Sequence, residues 1–298
     1  MARNRIRKTP ASMLFDICNY SFMTVLVFIT LYPFWHVAMA SMSNPGVLMA
    51  HSGPIFYPLG NLEFGNYLLV FKNPMIPISY RNTLIYVVLG TGINIIMTMF
   101  CGYALSRRNL MLRVPVMYLI IFTMYFSGGM IPSFLLVKSL GMYDTLWALV
   151  LPGAINTINM IIMRTAFATV PDSMEESAKL DGANDMVVLF RILVPLCLPT
   201  IAVLILYYSV GHWNSWFNAM IYLKTREKFP LQLILREILL ANTASGETMV
   251  ETGGGDKIPL AETVKYATIM VATVPILLVY PFVQRYFVKG VMIGAIKG

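Results

Sequence analysis

Charge is scarce in this chain: 12% of its 298 residues are Asp, Glu, Lys or Arg, where a soluble domain carries about 25%. With 57% hydrophobic residues and a mean hydropathy of +0.69, it has too little polar surface to cover a core in water. Lipid tolerates apolar exteriors on helices whose backbone bonds close internally, so the chain reads as a membrane protein. Cysteine and histidine are few as well. Cys18, Cys101 and Cys197 lie in or beside apolar runs, without metal or redox spacing, and read as small core hydrophobes. His36, His51 and His212 are scattered, so no metal site is expected. Neither G-x-x-x-x-G-K-[ST] nor G-x-G-x-x-G occurs; a nucleotide used by this protein must be bound by another chain. Carboxylates are missing from the interiors of the apolar runs, with Asp16 near the entry of the first. A carrier driven by an ion gradient would need them there. No His, Asp or Glu cluster converges at a membrane face, so an enzyme active site is not expected either, and no residue is assigned covalent chemistry.

Basic residues outnumber acidic ones, 22 against 14, for a net charge of +8. On a soluble protein that excess would suggest nucleic acid; here the basic residues cluster beside apolar runs, as the positive-inside rule expects, and no nucleic-acid partner is assigned. Six runs reach the roughly 20 residues that a spanning helix needs: 21–40, 83–105, 114–137, 146–169, 196–216 and 266–287. The first carries an A-x-A-like site at 38–40, but its apolar length exceeds the core of a signal peptide, so it is read as a span. Placing Arg3, Arg5, Arg7, Lys8, Arg107, Arg108, Arg113, Arg164, Lys179, Arg191, Arg285, Lys289 and Lys297 inside accounts for most of the basic residues. The expectation is an all-α membrane protein with six transmembrane helices and both termini cytoplasmic. Residues 1–20 form a cytoplasmic leader, 21–293 the transmembrane domain and 294–298 a cytoplasmic tail. The larger connections are external at 41–81, cytoplasmic at 170–195 and external at 217–265.

Segment 41–81 is rich in Pro and Gly and reads as an irregular, ordered cap. After the fifth run, "KFPLQLILREILLANT" has helical apolar spacing, whereas "ASGETMVETGGGDKIP" is polar, glycine-rich and flexible in expectation. The acidic insert "PDSMEESAKLDGANDMVVLFRILVPLCLP" at 171–199 stands apart. Pro171 stops the preceding helix, Asp172 suits an N-cap and Glu175 can complete a capping box. Glu175 pairs with Lys179 at i,i+4, and Gly182 ends the helix in the left-handed conformation. Met174, Ser177, Ala178 and Asp181 share one face. A second helical piece at 185–193 precedes Pro195, and together the two make a rigid knob, although an ordinary loop helix has the same local features.

"ESAKLDGA" followed by "FRILVPLCLP" resembles the EAA motif of ABC-importer permease subunits. Glu176, Ser177 and Ala178 stand for the Glu-Ala-Ala triplet, Ser177 being a departure that keeps a small side chain; Gly182, Ile192 and Pro195 supply the rest. "FSGGMIPSFLLVKSLGMYDTLWALVLP", "GHWNSWFNAMIYL", "FPLQLILREIL" and "VYPFVQRYFVKGVMIGAIKG" resemble the maltose-transporter-like carbohydrate-importer branch, particularly permeases for complex oligosaccharides and polysaccharide fragments. The resemblance covers nearly all of the chain after the first run. It implies the type I ABC importer permease fold in the bacterial cytoplasmic (inner) membrane. It also implies a second homologous permease subunit, two ATPase subunits that bind ATP and Mg, an extracytoplasmic solute-binding protein and an oligosaccharide cargo, with no cofactor in this chain. The insert becomes the coupling helix, its ATPase-coupling residues being Glu175, Glu176, Ser177, Ala178, Asp181, Gly182 and Ala183. The tail residues Gly294, Lys297 and Gly298 resemble a second ATPase contact. The segment carrying Gly246, Glu247, Glu251, Gly253, Gly254 and Gly255 resembles a loop that enters the binding protein's sugar cleft, although a linker would also be glycine-rich.

Sugars are recognised by aromatic stacking combined with amide and hydroxyl groups. The fifth run offers Tyr207, Tyr208, His212, Trp213, Asn214 and Trp216 for the substrate path, and Asn156 and Asn159 add polar groups at membrane depth. The competing reading stays open, because Trp and Tyr also form interfacial belts and Asn bonds between helices.

Overall fold

The computed structural model describes residues 9–107, 109–252, 263–278 and 281. Within them every long element is helical. Helix α1 (Pro10–Ser41) starts where Thr9 caps the amide of Ser12 and Pro10 occupies the first turn, so it already includes much of the segment expected to be a leader. Segment 41–81 holds α2 (Pro45–Ala50), capped by Asn44, and α3 (Gly65–Lys72), joined by irregular chain. Helix α4 (Met75–Ser106) is unbroken for 32 residues, about 48 Å at 1.5 Å per residue, well beyond a bilayer core.

The third and fourth runs are not single helices. In the third, α5 (Arg113–Tyr125) and α6 (Met130–Ser139) meet at 115° across residues 126–129, where Gly128 and Gly129 interrupt the helix. In the fourth, α7 (Trp147–Val150) stops before Pro152 and Gly153, and the chain resumes as α8 (Thr157–Ala168) with Asn156 as its N-cap. Helix α9 (Asp172–Leu180) and α10 (Asp185–Val187) follow, then a π-helical turn over Val188–Leu193 and α11 (Val194–Leu196). Pro195 has no N–H to give to the turn before it, which suits a widened turn at that point. The chain bends by 87° into α12 (Leu198–Trp213). Segment 217–265, expected as a loop, is helical over most of its described length. It contains α13 (Phe217–Tyr222), a 3-10 turn at Arg226–Lys228 and α14 (Leu231–Thr252), which runs on through residues 244–252 where flexible chain was expected. Helix α15 (Thr263–Leu278) covers the sixth run as far as Leu278; 279–280 and 282–287 lie outside the described residues.

Two helices, α1 and α4, are long and apolar enough to cross a membrane among the described residues, or up to four if each bent pair counts as one span. The chain divides into two compact units, Met1–Lys72 with Ile238–Val271, and Asn73–Glu237 with Ala272–Gly298. In the first, Ala40, Leu48, Ile55 and Leu59 gather under Met39 and Tyr266. In the second, the main core joins Ile95 and Met99 of α4, Met163 and Phe167 of α8, Val188, Leu189 and Leu193 of the π turn, and Ile201, Leu204 and Tyr208 of α12. A second cluster at the N-terminal end of α4 joins Tyr86 to Val137, Ala148, Leu149, Ala219, Tyr222, Leu223 and Leu233.

Candidate functional site

Helix α9 sits at the C-terminal end of α4. Its C-terminus closes as expected: Gly182 has φ +86°, the Gly182 amide donates to the Lys179 carbonyl at 3.0 Å and the Ala183 amide to Ala178 at 2.9 Å, a Schellman closure that glycine permits without a Cβ clash. The N-terminus differs from expectation. Pro171 takes the cap position, Asp172 is the first helical residue, and no side-chain cap forms. The capping box is absent because Glu175 is turned to other partners. It forms an ion pair with Arg107 at the end of α4, at side-chain exposures of 16% and 13% for Arg107 and Glu175, and a second with Lys179 at 2.8 Å.

The knob has an inner and an outer side. Ala178 and Ala183, partly buried, pack against the main core and hold the knob to its own bundle. Glu176, Ser177, Asp181 and Gly182 are exposed, as is Leu180, 89% accessible. Lys179 also reaches Asp185 at 3.2 Å, and Asp185 accepts from the Tyr103 hydroxyl at 3.1 Å. The Glu175 and Asp185 carboxylates raise the Lys179 ammonium above its usual range, and the bonds from Lys179 and Tyr103 lower Asp185. Both groups therefore stay charged at neutral pH. A cavity of 460 Å³ opens beside them, lined by Tyr103, Arg107, Asp172, Glu175, Glu176 and Lys179 among others.

Polar groups also line the seam between α4, α8 and α12. Tyr208 is buried; its hydroxyl bonds Thr98 at 2.7 Å and accepts from the Asn156 amide at 3.2 Å. The His212 ring meets Asn94 Oδ1 at 2.7 Å, while the Asn94 amide donates to the carbonyls of Gly153 and Ala154 at 2.6 and 2.9 Å. The break in the fourth run thus has its Gly153 and Ala154 carbonyls bonded inside the bundle. Gly90 makes room for this arrangement, since a Cβ there would overlap the His212 ring. Asn156 Oδ1 accepts from the Asn159 amide at 3.1 Å, and Asn159 is buried. Of these four candidates for the substrate path, Tyr208 and His212 bond to α4, Tyr208 also holds the Asn156 amide, and the Asn156 side chain caps α8 beside the buried Asn159. Tyr207, half-exposed, and Asn214 at the end of α12 lie at its surface. Trp213 bonds the Ala272 carbonyl and meets Tyr80 edge-on, and Trp216 lies under the Arg236 guanidinium at 3.9 Å.

At the N-terminal end of α4, Asp144 gathers the chain after α13. Its carboxylate accepts from the amides of Lys224 and Thr225, the Thr225 hydroxyl and Lys228 Nζ, at 2.6–3.0 Å. Its own amide donates to the Tyr222 carbonyl, and Asp144 holds φ +57°. Burial alone would raise this carboxyl, but the Thr225, Lys228 and Lys224 bonds hold it well below the usual carboxylate range.

Neither Arg107 nor Asp144 was singled out in the sequence. Arg107 appeared as one basic residue among many beside a run, and Asp144 as a loop acid; their partners lie far along the chain. Gly294, Lys297, Gly298, Gly253, Gly254 and Gly255 lie outside the described residues, and Gly246, Glu247 and Glu251 fall in the distal part of α14, where the backbone alone is described.

Residues 94–217 match the family described as "Binding-protein-dependent transport system inner membrane component". The polygalacturonan/rhamnogalacturonan transport system permease protein YtcP of Bacillus subtilis is 42% identical over 285 residues, covering 96% of this chain and 99% of the relative. Protein LplC of the same organism is 39% identical over 296 residues, covering 98% of each. Among solved structures, a chain of a bacterial ABC transporter involved in the import of the acidic polysaccharide alginate superposes with a TM-score of 0.83 at 30% identity, covering 95% of this chain and 99% of that one.

Proposed function

The chain belongs to the binding-protein-dependent transport system inner membrane components, and from that membership we propose that it forms half of the membrane path of an ATP-driven oligosaccharide importer. It is an ABC transporter permease subunit and not an enzyme; ATP hydrolysis belongs to a separate subunit. In this reading the chain crosses the inner membrane six times with both termini in the cytoplasm. It pairs with a second permease subunit and two ATPase subunits holding ATP and Mg, and receives cargo from an extracytoplasmic solute-binding protein. The names of its relatives point to fragments of acidic polysaccharides as the first cargoes to try.

The observation that carries the coupling part of the reading is the outer side of α9. A short, well-closed helix displays Glu176, Ser177, Leu180, Asp181 and Gly182 to solvent at one end of the bundle. Glu176 and Asp181 suit charge-assisted hydrogen bonds from a partner's Arg or Lys, and Leu180 offers apolar area beside them. ATPase closure would displace α9 and rock the helices between inward-open and outward-open states.

The test is uptake and ATP hydrolysis by the assembled transporter in proteoliposomes, with its binding protein and galacturonate oligosaccharides or alginate fragments. Glu176→Lys opposes the incoming cation, and Gly182→Pro forces φ to about −65° and destroys the closure of α9. Each is expected to reduce sugar-stimulated hydrolysis and uptake by about a hundredfold, the scale of a lost buried charge contact, while the chain still inserts. Uptake that persists with the ATPase subunits removed would replace this reading with an ion-driven carrier.

A further inference from the structure

The side chains around α9 form a closed ring. Arg107 pairs with Glu175, Glu175 with Lys179 at 2.8 Å, Lys179 with Asp185 at 3.2 Å, and Asp185 accepts from Tyr103, whose ring lies 5.4 Å from the Arg107 guanidinium carbon. Within that ring Arg107 makes three bonds at once. Nε donates to Ser106 Oγ at 2.9 Å, Nη2 donates to the Phe167 carbonyl in the last turn of α8 at 3.1 Å, and Nη1 reaches Glu175. One guanidinium therefore ties together the end of α4, the end of α8 and the knob.

We propose that Arg107 is a positioning residue that transmits the displacement of α9 into α4 and α8, and that Glu175 is its partner inside the chain rather than a contact for the ATPase. The inference rests on the importer reading above. Helix α4 is remote from α9 along the chain, so whatever moves them together is non-covalent. Ala178 and Ala183 supply apolar contact beneath the knob, but apolar contact is non-directional and allows one surface to slide over another. The fork of a guanidinium fixes direction as well as distance. Arg107 and Glu175 are mostly shielded from solvent, where salt screens little. Lysine could keep the charge but not all three bonds.

The measurement is sugar taken up per ATP hydrolysed by the assembled transporter, for Arg107→Gln, Arg107→Lys, Glu175→Gln and the Arg107→Gln/Glu175→Gln double variant. The ratio of ATPase subunits that co-purify is measured alongside. Arg107→Gln is expected to keep its ATPase subunits, to go on hydrolysing ATP, and to lose about tenfold in uptake per ATP, within the range that mutations between coupled sites produce. Arg107→Lys should lose several-fold despite its charge. Because the two residues act through each other, the double variant should be no worse than the more affected single. Should Arg107→Gln fail to assemble, Asp185→Asn opens the ring at a side chain 63% exposed and should lower uptake per ATP by about threefold. Uptake per ATP within about twofold of the unmodified chain in Arg107→Gln overturns the inference. So do single losses that multiply in the double variant. Loss of ATPase subunits from Glu175→Gln but not from Arg107→Gln would make Glu175 a direct docking contact, also against the inference. If the unmodified assembly takes up sugar without ATP, the importer reading falls and this inference falls with it.

Discussion

Asp144 holds a conformation that costs most residues about 1–2 kcal/mol, and its carboxylate repays that strain by bonding two amides, a hydroxyl and an ammonium of the 224–228 segment. Replacement by glycine separates the two contributions, because glycine accepts φ +57° freely while removing the carboxylate. Asp144→Gly is expected to lower the stability of the purified chain by about 2 kcal/mol, the scale of a charged hydrogen bond lost, and Asp144→Ala by about 1 kcal/mol more. Thermal unfolding in detergent checks the order; equal effects for the two variants would remove the strain argument. The pH dependence follows from the sign of the shift. The folded-state carboxyl is depressed, so its stabilisation is present above the ordinary Asp value of about 3.9 and is lost as pH falls towards the folded value. Protection of the Lys224 and Thr225 amides from exchange, taken relative to the unfolded-chain rate at each pH, should therefore hold down to about pH 4 and fall below it. No local pattern marks Asp144, because its partners are brought to it by the fold. Gly182 was legible for the opposite reason: a helix terminus is a local event.

At the scale of elements, each apolar run falls on helical chain among the described residues, but run length did not give continuity. Run 83–105 became an unbroken helix, whereas 114–137 and 146–169 are interrupted at Gly128–Gly129 and Pro152–Gly153. Whether a Gly or Pro in an apolar run kinks a helix or ends it depends on whether neighbours can satisfy the released backbone groups. At the second of these breaks Asn94 and Tyr208 do so. Asn94→Ala should leave the carbonyls of Gly153 and Ala154 unbonded and cost about 1–3 kcal/mol, measured as earlier thermal unfolding. Asn94→Ala at full stability would mean that the break is held by packing alone. The same dependence on context undid the expected capping box of α9. Glu175 had the right spacing from Asp172, but Arg107 and Lys179 offer it charge-assisted bonds that a backbone amide does not match. The face shared by Met174, Ser177, Ala178 and Asp181 likewise divides, with Ala178 inward and Ser177 and Asp181 outward.

For the whole molecule, the proposed orientation puts α9 in the cytoplasm and the Asp144 cluster outside. With Cys18, Cys101 and Cys197 replaced by serine, a membrane-impermeant maleimide should label Glu227→Cys in intact spheroplasts and Leu180→Cys only after the membrane is opened; both positions are exposed. The reverse pattern would invert the topology. The sequence by itself determined the class of protein, the positions of the apolar runs and the family motif, since lipid solubility depends on composition and the motif is a contiguous stretch. It also foretold the left-handed closure at Gly182 and the Glu175–Lys179 pair, which need residues no more than a few positions apart. Tertiary structure alone decided that α14 extends to Thr252, that Tyr208 and His212 bond within the bundle, and that Arg107 and Asp144 join distant segments. Those choices turn on which polar groups meet when the helices pack, and in a low-dielectric interior each such group takes the best partner the fold brings within reach.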